Sequence, residues 1–371
     1  MKRLAAALLP AGLLAAGAVC AQTDAHAGHH APATASAAAA MAEGEVRKIV
    51  LDEIKPFADE VREDALGNLL AVRHARTAHP VRVMLDAHMD EVGFMLIDSD
   101  GDGLYRFEKV GGIDARQLVG KPVLVGADHV PGIIGARPIH LTTAEERSRP
   151  IPLDGLRIDV GPGGNGKVKV GDRATFATRF QQVGPSILAK ALDDRLGVAT
   201  LVELVKNPPE NVELLVSFAV QEEIGLRGAR AAAYGFQPDL AIAIDSTPAN
   251  DLPTWDGGEN AFYNTKLGAG PAIYISDAGT LGDPRLIRFL AQTGEELGIP
   301  YQFRQPGGGG TDAGSIHKVR AGVPSVSISI PGRYAHTAVL LSRISDWEDT
   351  LHLLHAALER LSPALLAGER K

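Results

Sequence analysis

Residues 212–225 read VELLVSFAVQEEIG, an apolar run that ends in two adjacent carboxylates. A run of this length and composition predicts a buried β-strand, with Glu222 and Glu223 just beyond its end. Like charges repel each other, and desolvation raises the cost of ionising either acid. The pair is therefore typical either of a solvated turn or of a site where one acid binds a metal ion and the other accepts a proton from water.

Acids and histidines follow other predicted strands as well: His88 and Asp90 after 81–87, Asp245 after 240–244, and His336 after 326–330. Asp193 stands where a further helix, 195–205, is expected to begin. Because the carboxyl ends of parallel strands share one edge of a sheet, these side chains are expected to converge. Each alone has a simpler explanation, such as a core histidine or a helix cap. Together, two histidines with carboxylates and no cysteine suit a pair of divalent first-row metal ions.

Helix and strand patterns alternate along most of the chain. A helical stripe in 46–54 is ended by Pro56, Asp283 with Pro284 opens a later helix, and Ser345 with Glu348 predicts a capping box for the last one. Strands that alternate with helices predict an α/β fold, with a mostly parallel sheet covered by helices on both faces. Between 112 and 185, short apolar runs are separated by Gly, Pro and Asp. This texture predicts a small all-β, barrel-like domain inserted into the larger one.

The first 44 residues differ from the rest of the chain. A basic start, an apolar stretch and small residues near position 21 predict a signal peptide over 1–21, cleaved after Ala21, and hence a secreted or periplasmic protein. Lipid attachment at Cys20 is the alternative. The apolar stretch is interrupted by Pro and Gly, so stable membrane insertion is not expected. Residues 22–44, rich in Ala and His, are expected to be a disordered linker.

Composition narrows the possible chemistry. The only cysteine, Cys20, lies inside the predicted signal peptide, which excludes a catalytic thiolate and a cysteine-ligated metal. Any metal ion must therefore bind to His, Asp and Glu. The formal net charge of -8, without a Lys/Arg cluster, argues against a nucleic-acid partner.

Six motifs occur in order along the chain: HMDEVG (88–93), KALDDR (190–195), QEEIG (221–225), AID (243–245), GGTDA (309–313) and RYAHT (333–337). In this order they resemble the glutamyl or tetrahedral aminopeptidases, a family of dinuclear metallo-aminopeptidases, over about residues 45–355. The resemblance implies a zinc-exopeptidase-like catalytic domain in two parts, 45–111 and 186–371, around a dimerisation barrel at 112–185. It also implies peptide substrates cut from the N-terminus, two divalent ions per subunit, zinc or cobalt, and a homo-oligomer between a dimer and a dodecamer.

The resemblance also assigns roles to single residues. The implied metal ligands are two groups that share one bridging acid: His88, Asp193 and Asp245, and Asp193, Glu223 and His336. Glu222 would be the general base that takes the proton of the attacking water, and Asp90 would hold the His88 ring. The chain departs from the family at Leu340, where a Glu is usual. Asp312, in the GGTDA motif, matches the family but could equally cap a helix.

Two other functions remain open. A related dinuclear exopeptidase or deacylase, such as a carboxypeptidase or an acyl-amino-acid hydrolase, would share the paired metal site but recognise the other end of its substrate. Peptides with free and blocked N-termini discriminate between the two. A non-catalytic assembly protein on a peptidase fold would be expected to have lost ligands or the base, whereas this chain keeps them all.

Overall fold

The computed structural model describes residues 43–368 except 165, 259, 261–263 and 306. The predicted signal peptide and nearly all of the predicted linker lie outside the described residues. The strands of the described part are β1 (Glu60–Glu63), β2 (Leu69–Arg73), β3 (Val81–His88), β4 (Gly93–Gly101), β5 (Leu104–Val110), β6 (Pro122–Val125), β7 (Val130–Gly135), β8 (Arg157–Asp159), β9 (Arg173–Phe176), β10 (Gln181–Val183), β11 (Ser186–Ala189), β12 (Val212–Ala219), β13 (Leu240–Pro248), β14 (Ala272–Ile273), β15 (Gln302–Phe303), β16 (Ser325–Arg333) and β17 (Leu340–Arg343). The α-helices of the same part are α1 (Gly44–Ile54), α2 (Ala144–Arg147), α3 (Leu192–Lys206), α4 (Arg227–Phe236), α5 (Pro284–Leu297), α6 (Ala313–Ile316), α7 (Ile344–Arg360) and α8 (Ala364–Ala367).

The larger domain is built on an 11-stranded sheet with the order β1-β2-β12-β3-β13-β16-β17-β11-β10, to which β14 and β15 are added beside β16. The central strands β12, β3, β13 and β16 run parallel to one another. The outer pairs in this order, such as β1 with β2 and β16 with β17, are antiparallel, whereas β14 is antiparallel to β16 and parallel to β15. The predicted helix-flanked α/β sheet is confirmed, but it is mixed rather than mostly parallel, because beside the central strands only β14 and β15 pair in parallel.

Helices cover both faces of this sheet because successive strand residues point to opposite sides. On β3, Val83 and Leu85 pack in a cluster with residues of α1, α3 and α7. Met84, between them, packs in a second cluster with residues of α4 and α6. A central strand buried on both faces therefore reads as one continuous apolar run. None of the helices in the described residues is long and apolar enough to cross a membrane.

The smaller domain is a closed barrel with the strand order β4-β5-β8-β7-β6-β9. Its centre is Phe94, which is fully buried and meets Phe107 and Phe176 edge to face, with ring centroids 5.2 Å apart in both pairs. The predicted boundary at residue 112 was wrong, because β4 and β5 over 93–110 already belong to the barrel. The predicted end of the barrel domain at residue 185 was also too far along the chain, since β10 already belongs to the large sheet. The β4–β5 hairpin follows β3 directly, so nothing in its local pattern marks the change of sheet.

One helix cap predicted from the sequence is confirmed by the structure, and another is not. The carboxylate of Asp283 accepts from the Arg285 amide at the start of α5, and Gly298 ends that helix with a left-handed φ of 66°. The predicted capping box at Ser345 was wrong. Helix α7 begins at Ile344, directly after β17, so Ser345 lies inside the helix and no side chain caps it.

Candidate metal centre

The carboxyl ends of the central strands bring the predicted site residues to one edge of the sheet. β3 ends at His88, whose register partner on β12 is Ala219. Glu222 and Glu223 therefore come just beyond the level of His88. Asp245 lies on β13, the neighbour of β3 on its other side.

Asp193 and His336 reach the same edge from less regular segments. Asp193 stands at the start of α3 with non-helical backbone angles, and its peptide bond to Asp194 is cis. His336 follows β16 and has a positive φ of 57°. Its Nδ1 atom lies 2.9 Å from the carbonyl of Gly112, which follows the barrel strand β5. Both domains therefore position His336.

The five predicted ligands form the two expected groups, which share Asp193. His88 Nε2 lies 3.4 Å from Asp193 Oδ1 and 3.7 Å from Asp245 Oδ1. His336 Nε2 lies 3.6 Å from Asp193 Oδ2 and 3.6 Å from Glu223 Oε2. Within each group the ligand atoms all lie within 4.8 Å of one another. Most of these distances are too long for a hydrogen bond but close to the separation of about 3.3 Å between ligands of one tetrahedral zinc ion.

Both histidines present Nε2 to the acids. Nδ1 of His88 lies 3.1 Å from the Asp90 carbonyl and Nδ1 of His336 lies 2.9 Å from the Gly112 carbonyl, so each Nδ1 donates to a carbonyl. The Nε2 lone pair of a neutral ring then faces carboxylate oxygens, an arrangement that favours a cation between them.

The electrostatics of the site also favour a bound cation. Burial raises the pKa of both Glu222 and Glu223 well above the ordinary value, and it raises the pKa of Asp245 to about 6. Burial acts the same way on Asp193, but the neighbouring histidines outweigh it and lower its pKa to about 2. Burial opposes a charge on His88, yet the surrounding aspartates raise its pKa well above the usual range. A bound cation would relieve the repulsion among these acids.

Asp90 connects the histidine strand to the acidic pair. Its Oδ1 accepts from the Glu222 amide and its Oδ2 from the Glu223 amide, both at 3.1 Å. The Oδ1 atom of Asp90 also lies 3.5 Å from His88 Nδ1, whereas the carbonyl oxygen of Asp90 is closer to that nitrogen, at 3.1 Å. The nearest acceptor for the His88 ring is thus the backbone of Asp90, while the carboxylate fixes the loop that carries Glu222 and Glu223.

Sequence reasoning missed a buried ion pair beside the candidate ligand groups. Glu91 Oε1 lies 2.7 Å from Lys190 Nζ, and the hydroxyl of Thr175 on barrel strand β9 donates to Glu91 Oε2 at 2.9 Å. Both members stand inside the quoted motifs, each adjacent to or near a proposed site residue. Their opposite charges and their places in the motifs could have suggested an ion pair, but no rule of sequence spacing predicts that Glu91 and Lys190 meet.

Asp312 stands at the start of α6, as expected for a cap, but its side chain makes no capping hydrogen bond. It is buried beside Asp86, and repulsion between the two carboxylates adds to the effect of burial. Burial raises the pKa of Asp86 to about 6 and that of Asp312 well above the ordinary value. This pair lies behind the site and was not anticipated.

Known proteins are similar to this chain in sequence and in fold. Residues 67–353 match the M42 glutamyl aminopeptidase family. A lysyl aminopeptidase of Pyrococcus furiosus is 33% identical over 329 residues, which are 86% of this chain and 92% of the relative. The structure of a TET aminopeptidase from a marine sediment archaeon of the Thaumarchaeota is 32% identical, covers 90% of this chain and 95% of its own, and superposes with a TM-score of 0.83. The TET1 peptidase of Pyrococcus horikoshii, described as assembling into a tetrahedron or a large octahedral shell, is 33% identical, covers 88% and 96%, and gives a TM-score of 0.75. The chain therefore belongs to the M42 glutamyl aminopeptidase family, whose members are hydrolases acting on peptide bonds.

Proposed function

We propose that the protein is a dinuclear, metal-dependent aminopeptidase that removes N-terminal residues from peptides. The observation that carries this proposal is the pair of ligand groups that share Asp193, with Glu222 beside the first group and a member of neither. Imidazole nitrogens and carboxylate oxygens without thiolates suit zinc or cobalt. His88 and Asp245 would hold one ion, Glu223 and His336 the other, and Asp193 both.

When bound, two such cations lower the pKa of water and polarise the scissile carbonyl. Glu222 has its Oε2 atom 3.9 Å from His88 Nε2, at the edge of the first ligand group. In this position it takes the proton of the attacking water and later passes it to the leaving amine. Burial raises the pKa of Glu222 well above that of a solvated glutamate. Asp90 keeps the base in place by holding its amide.

The test combines turnover with metal content. Glu222→Gln is expected to reduce kcat by about 10²- to 10⁴-fold, the usual contribution of a general base. Two ions per subunit, counted by elemental mass spectrometry, should remain bound to this variant. Full activity of Glu222→Gln would contradict the assignment of the base.

The choice of substrate end separates the proposal from its runner-up. An aminopeptidase should cleave a peptide with a free N-terminus and ignore its N-acetylated form. Turnover of the blocked peptide at a similar rate would favour a related dinuclear exopeptidase or deacylase instead.

We also propose that the protein forms a homo-oligomer, from a dimer up to a dodecamer, through the barrel. The described assemblies of the TET1 peptidase support this, as do Ile139 and Leu141 in the barrel domain, each 67% exposed. Light scattering of the purified protein gives the mass. A secreted or periplasmic location remains a proposal that rests on the sequence of 1–21, and N-terminal sequencing of the exported protein tests it.

A further inference from the structure

The segment 221–226, which we call the acidic loop, carries Glu222 and Glu223 between β12 and α4. Two of its residues, Gln221 and Leu226, have positive φ values of 61° and 56° although neither is a glycine. Residues with a side chain disfavour this left-handed region and remain in it only where their surroundings hold the backbone. The conformation of the acidic loop therefore depends on contacts with the rest of the protein.

Asn68 makes hydrogen bonds at both ends of the acidic loop. Its Oδ1 atom accepts from the Val220 amide at 2.9 Å, and its Nδ2 atom donates to the Gly228 carbonyl at 2.9 Å. The side chain is 0% exposed. The antiparallel pairing of β2 with β12, in which Leu69 is aligned with Phe218, brings Asn68 to this position. One buried side-chain amide thus joins the two ends of the segment that carries the proposed base.

A tight turn over 64–68 fixes the orientation of Asn68. The Oδ2 atom of Asp64 accepts from Asn68 Nδ2 at 2.7 Å. The Oδ1 atom of Asp64 accepts from the amides of residues 66, 67 and 68 at 2.9 to 3.1 Å, and Gly67 supplies the positive φ of 99° that the turn needs. Both Nδ2 hydrogens of Asn68 therefore have acceptors, and its Oδ1 atom is left to face the Val220 amide.

The two ends of the acidic loop also touch each other beside Asn68. The Gly228 amide donates to the Val220 carbonyl at 3.0 Å. A Cβ atom at position 228 would lie 2.3 Å from Asn68 Oδ1 and 2.3 Å from that carbonyl, so the contact requires a glycine. Asp90 holds the middle of the loop through the amides of Glu222 and Glu223. The loop is thus held at its middle by one side chain and at its ends by another.

We propose that Asn68 is a positioning residue for the reaction, because it holds the acidic loop so that Glu222 and Glu223 meet the two ligand groups. This inference rests on the proposed function. Asn68 belongs to neither ligand group and acts only through the backbone at Val220 and Gly228. A displacement of about 1 Å of a catalytic group can reduce turnover by about 10²-fold, so the support of the loop should affect kcat.

The test measures kcat, KM and zinc content of the full chain at saturating zinc, on the aminoacyl p-nitroanilide that the wild type cleaves fastest. In Asn68→Ala, kcat should fall by about 10- to 100-fold, the usual effect of removing the support of a site residue. KM should stay within about threefold, since the loss concerns the reacting groups. Both zinc ions should remain bound. Asn68→Ser, whose shorter hydroxyl can keep one of the contacts, should lose less.

Asn211→Ala is the matched control at the opposite end of β12. The Nδ2 atom of Asn211 donates to the carbonyls of Leu358 and Leu361 at 3.0 and 2.8 Å. This substitution also removes hydrogen bonds to backbone carbonyls, but roughly 30 Å along the strand from the acidic loop. Asn211→Ala should lower the thermal unfolding temperature, as Asn68→Ala does, and leave kcat within about twofold.

Hydrogen exchange of the amides in 219–228, measured by mass spectrometry, tests the inference without an activity assay. Exchange reports how often a segment opens locally. It should be faster than in the wild type in Asn68→Ala, because the ends of the acidic loop are released, and unchanged in Asn211→Ala.

Three results would overturn the inference and leave the aminopeptidase intact. The first is an equal loss of kcat in Asn68→Ala and Asn211→Ala, and the second is a normal kcat in folded Asn68→Ala. The third is a failure of both Asn68 variants to fold, which would mean a structural role only. If the wild type cleaves no peptide with a free N-terminus, the proposed function fails and hydrogen exchange alone decides. An acidic loop that exchanges at the wild-type rate in Asn68→Ala would then overturn the role of Asn68.

Discussion

Lys190→Met is expected to destabilise the protein strongly, because it removes the partner of a buried carboxylate. The side chains of Lys190 and Glu91 are 5% and 3% exposed, and their charged atoms lie 2.7 Å apart. Removing one member of a buried ion pair costs about 3–5 kcal/mol. Glu91 would keep the hydrogen bond from Thr175, and the guanidinium of Arg195 would remain 3.8 Å away. Because these two contacts remain, the free energy of unfolding is expected to fall by about 3 kcal/mol, the lower end of that range.

The assay is urea unfolding at a fixed concentration of protein and zinc. The change in the free energy of unfolding is calculated from the shift in the midpoint urea concentration, provided that its dependence on urea has the same slope in both proteins. Arg149→Met is the matched control. Arg149 pairs with Glu145 at the same 2.7 Å, but the two side chains are 72% and 73% exposed. This variant should change the free energy by no more than about 0.5 kcal/mol.

A double variant identifies the cause of the loss. Glu91→Gln combined with Lys190→Met removes the stranded charge and should recover a large part of the stability. A loss below about 1 kcal/mol in Lys190→Met would refute the reasoning, since an unpaired buried charge costs more than that. A double variant no more stable than the single one would do the same.

Two further predictions concern the metal ligands and the loop of the acidic pair. Removal of metal ions by a chelator should lower the unfolding temperature of the protein, and added zinc should restore it. Zinc should restore the temperature completely in Glu222→Gln, which keeps all the proposed ligands, and less in Asp245→Asn, which lacks one. An unfolding temperature that no divalent ion changes would contradict the metal site. Gly228→Ala should lower the free energy of unfolding by about 1–3 kcal/mol and reduce kcat/KM. The new Cβ would lie 2.3 Å from Asn68 Oδ1, which accepts a hydrogen bond from the Val220 amide just before the acidic pair. Gly235→Ala, in the same helix with its nearest contact at 3.5 Å, should be neutral or stabilising, and equal effects of the two substitutions would reject the steric argument.

The central part of the fold was predictable because its strands are buried on both faces. The predicted run 212–220 corresponds to β12 over Val212–Ala219, and the predicted run 81–87 to β3 over Val81–His88. Parallel strands send their carboxyl ends to one edge, so the convergence of His88 and Asp245 on that edge was predictable, whereas the pairing of β3 with β13 that brings them together was not. The division of the ligands into two groups came from the family resemblance, and the structure brings the same groups together.

The features that could not be predicted depend on contacts between distant segments. β4 opens with the apolar run 94–97 and β5 alternates apolar and polar residues, and either pattern suits a strand of the large sheet as well as one of the barrel, so the start of the barrel was placed too late. Ser345 carries a sound local capping signal, but β17 runs to Arg343 and the helix starts at the next residue. The pairing of Glu91 with Lys190 spans 99 positions, and no local pattern announces a contact of that range.

The hydrogen bond between His336 and Gly112 has a consequence for how the assembly can be studied. His336, a candidate ligand of the second group, takes its orientation from the segment after a barrel strand, so excising the barrel would also disturb the proposed metal site. Loss of activity in such a deletion would say nothing about whether oligomerisation matters. Substitutions of exposed apolar residues in the barrel domain, such as Ile139 and Leu141, separate the two effects because they leave the Gly112 carbonyl in place.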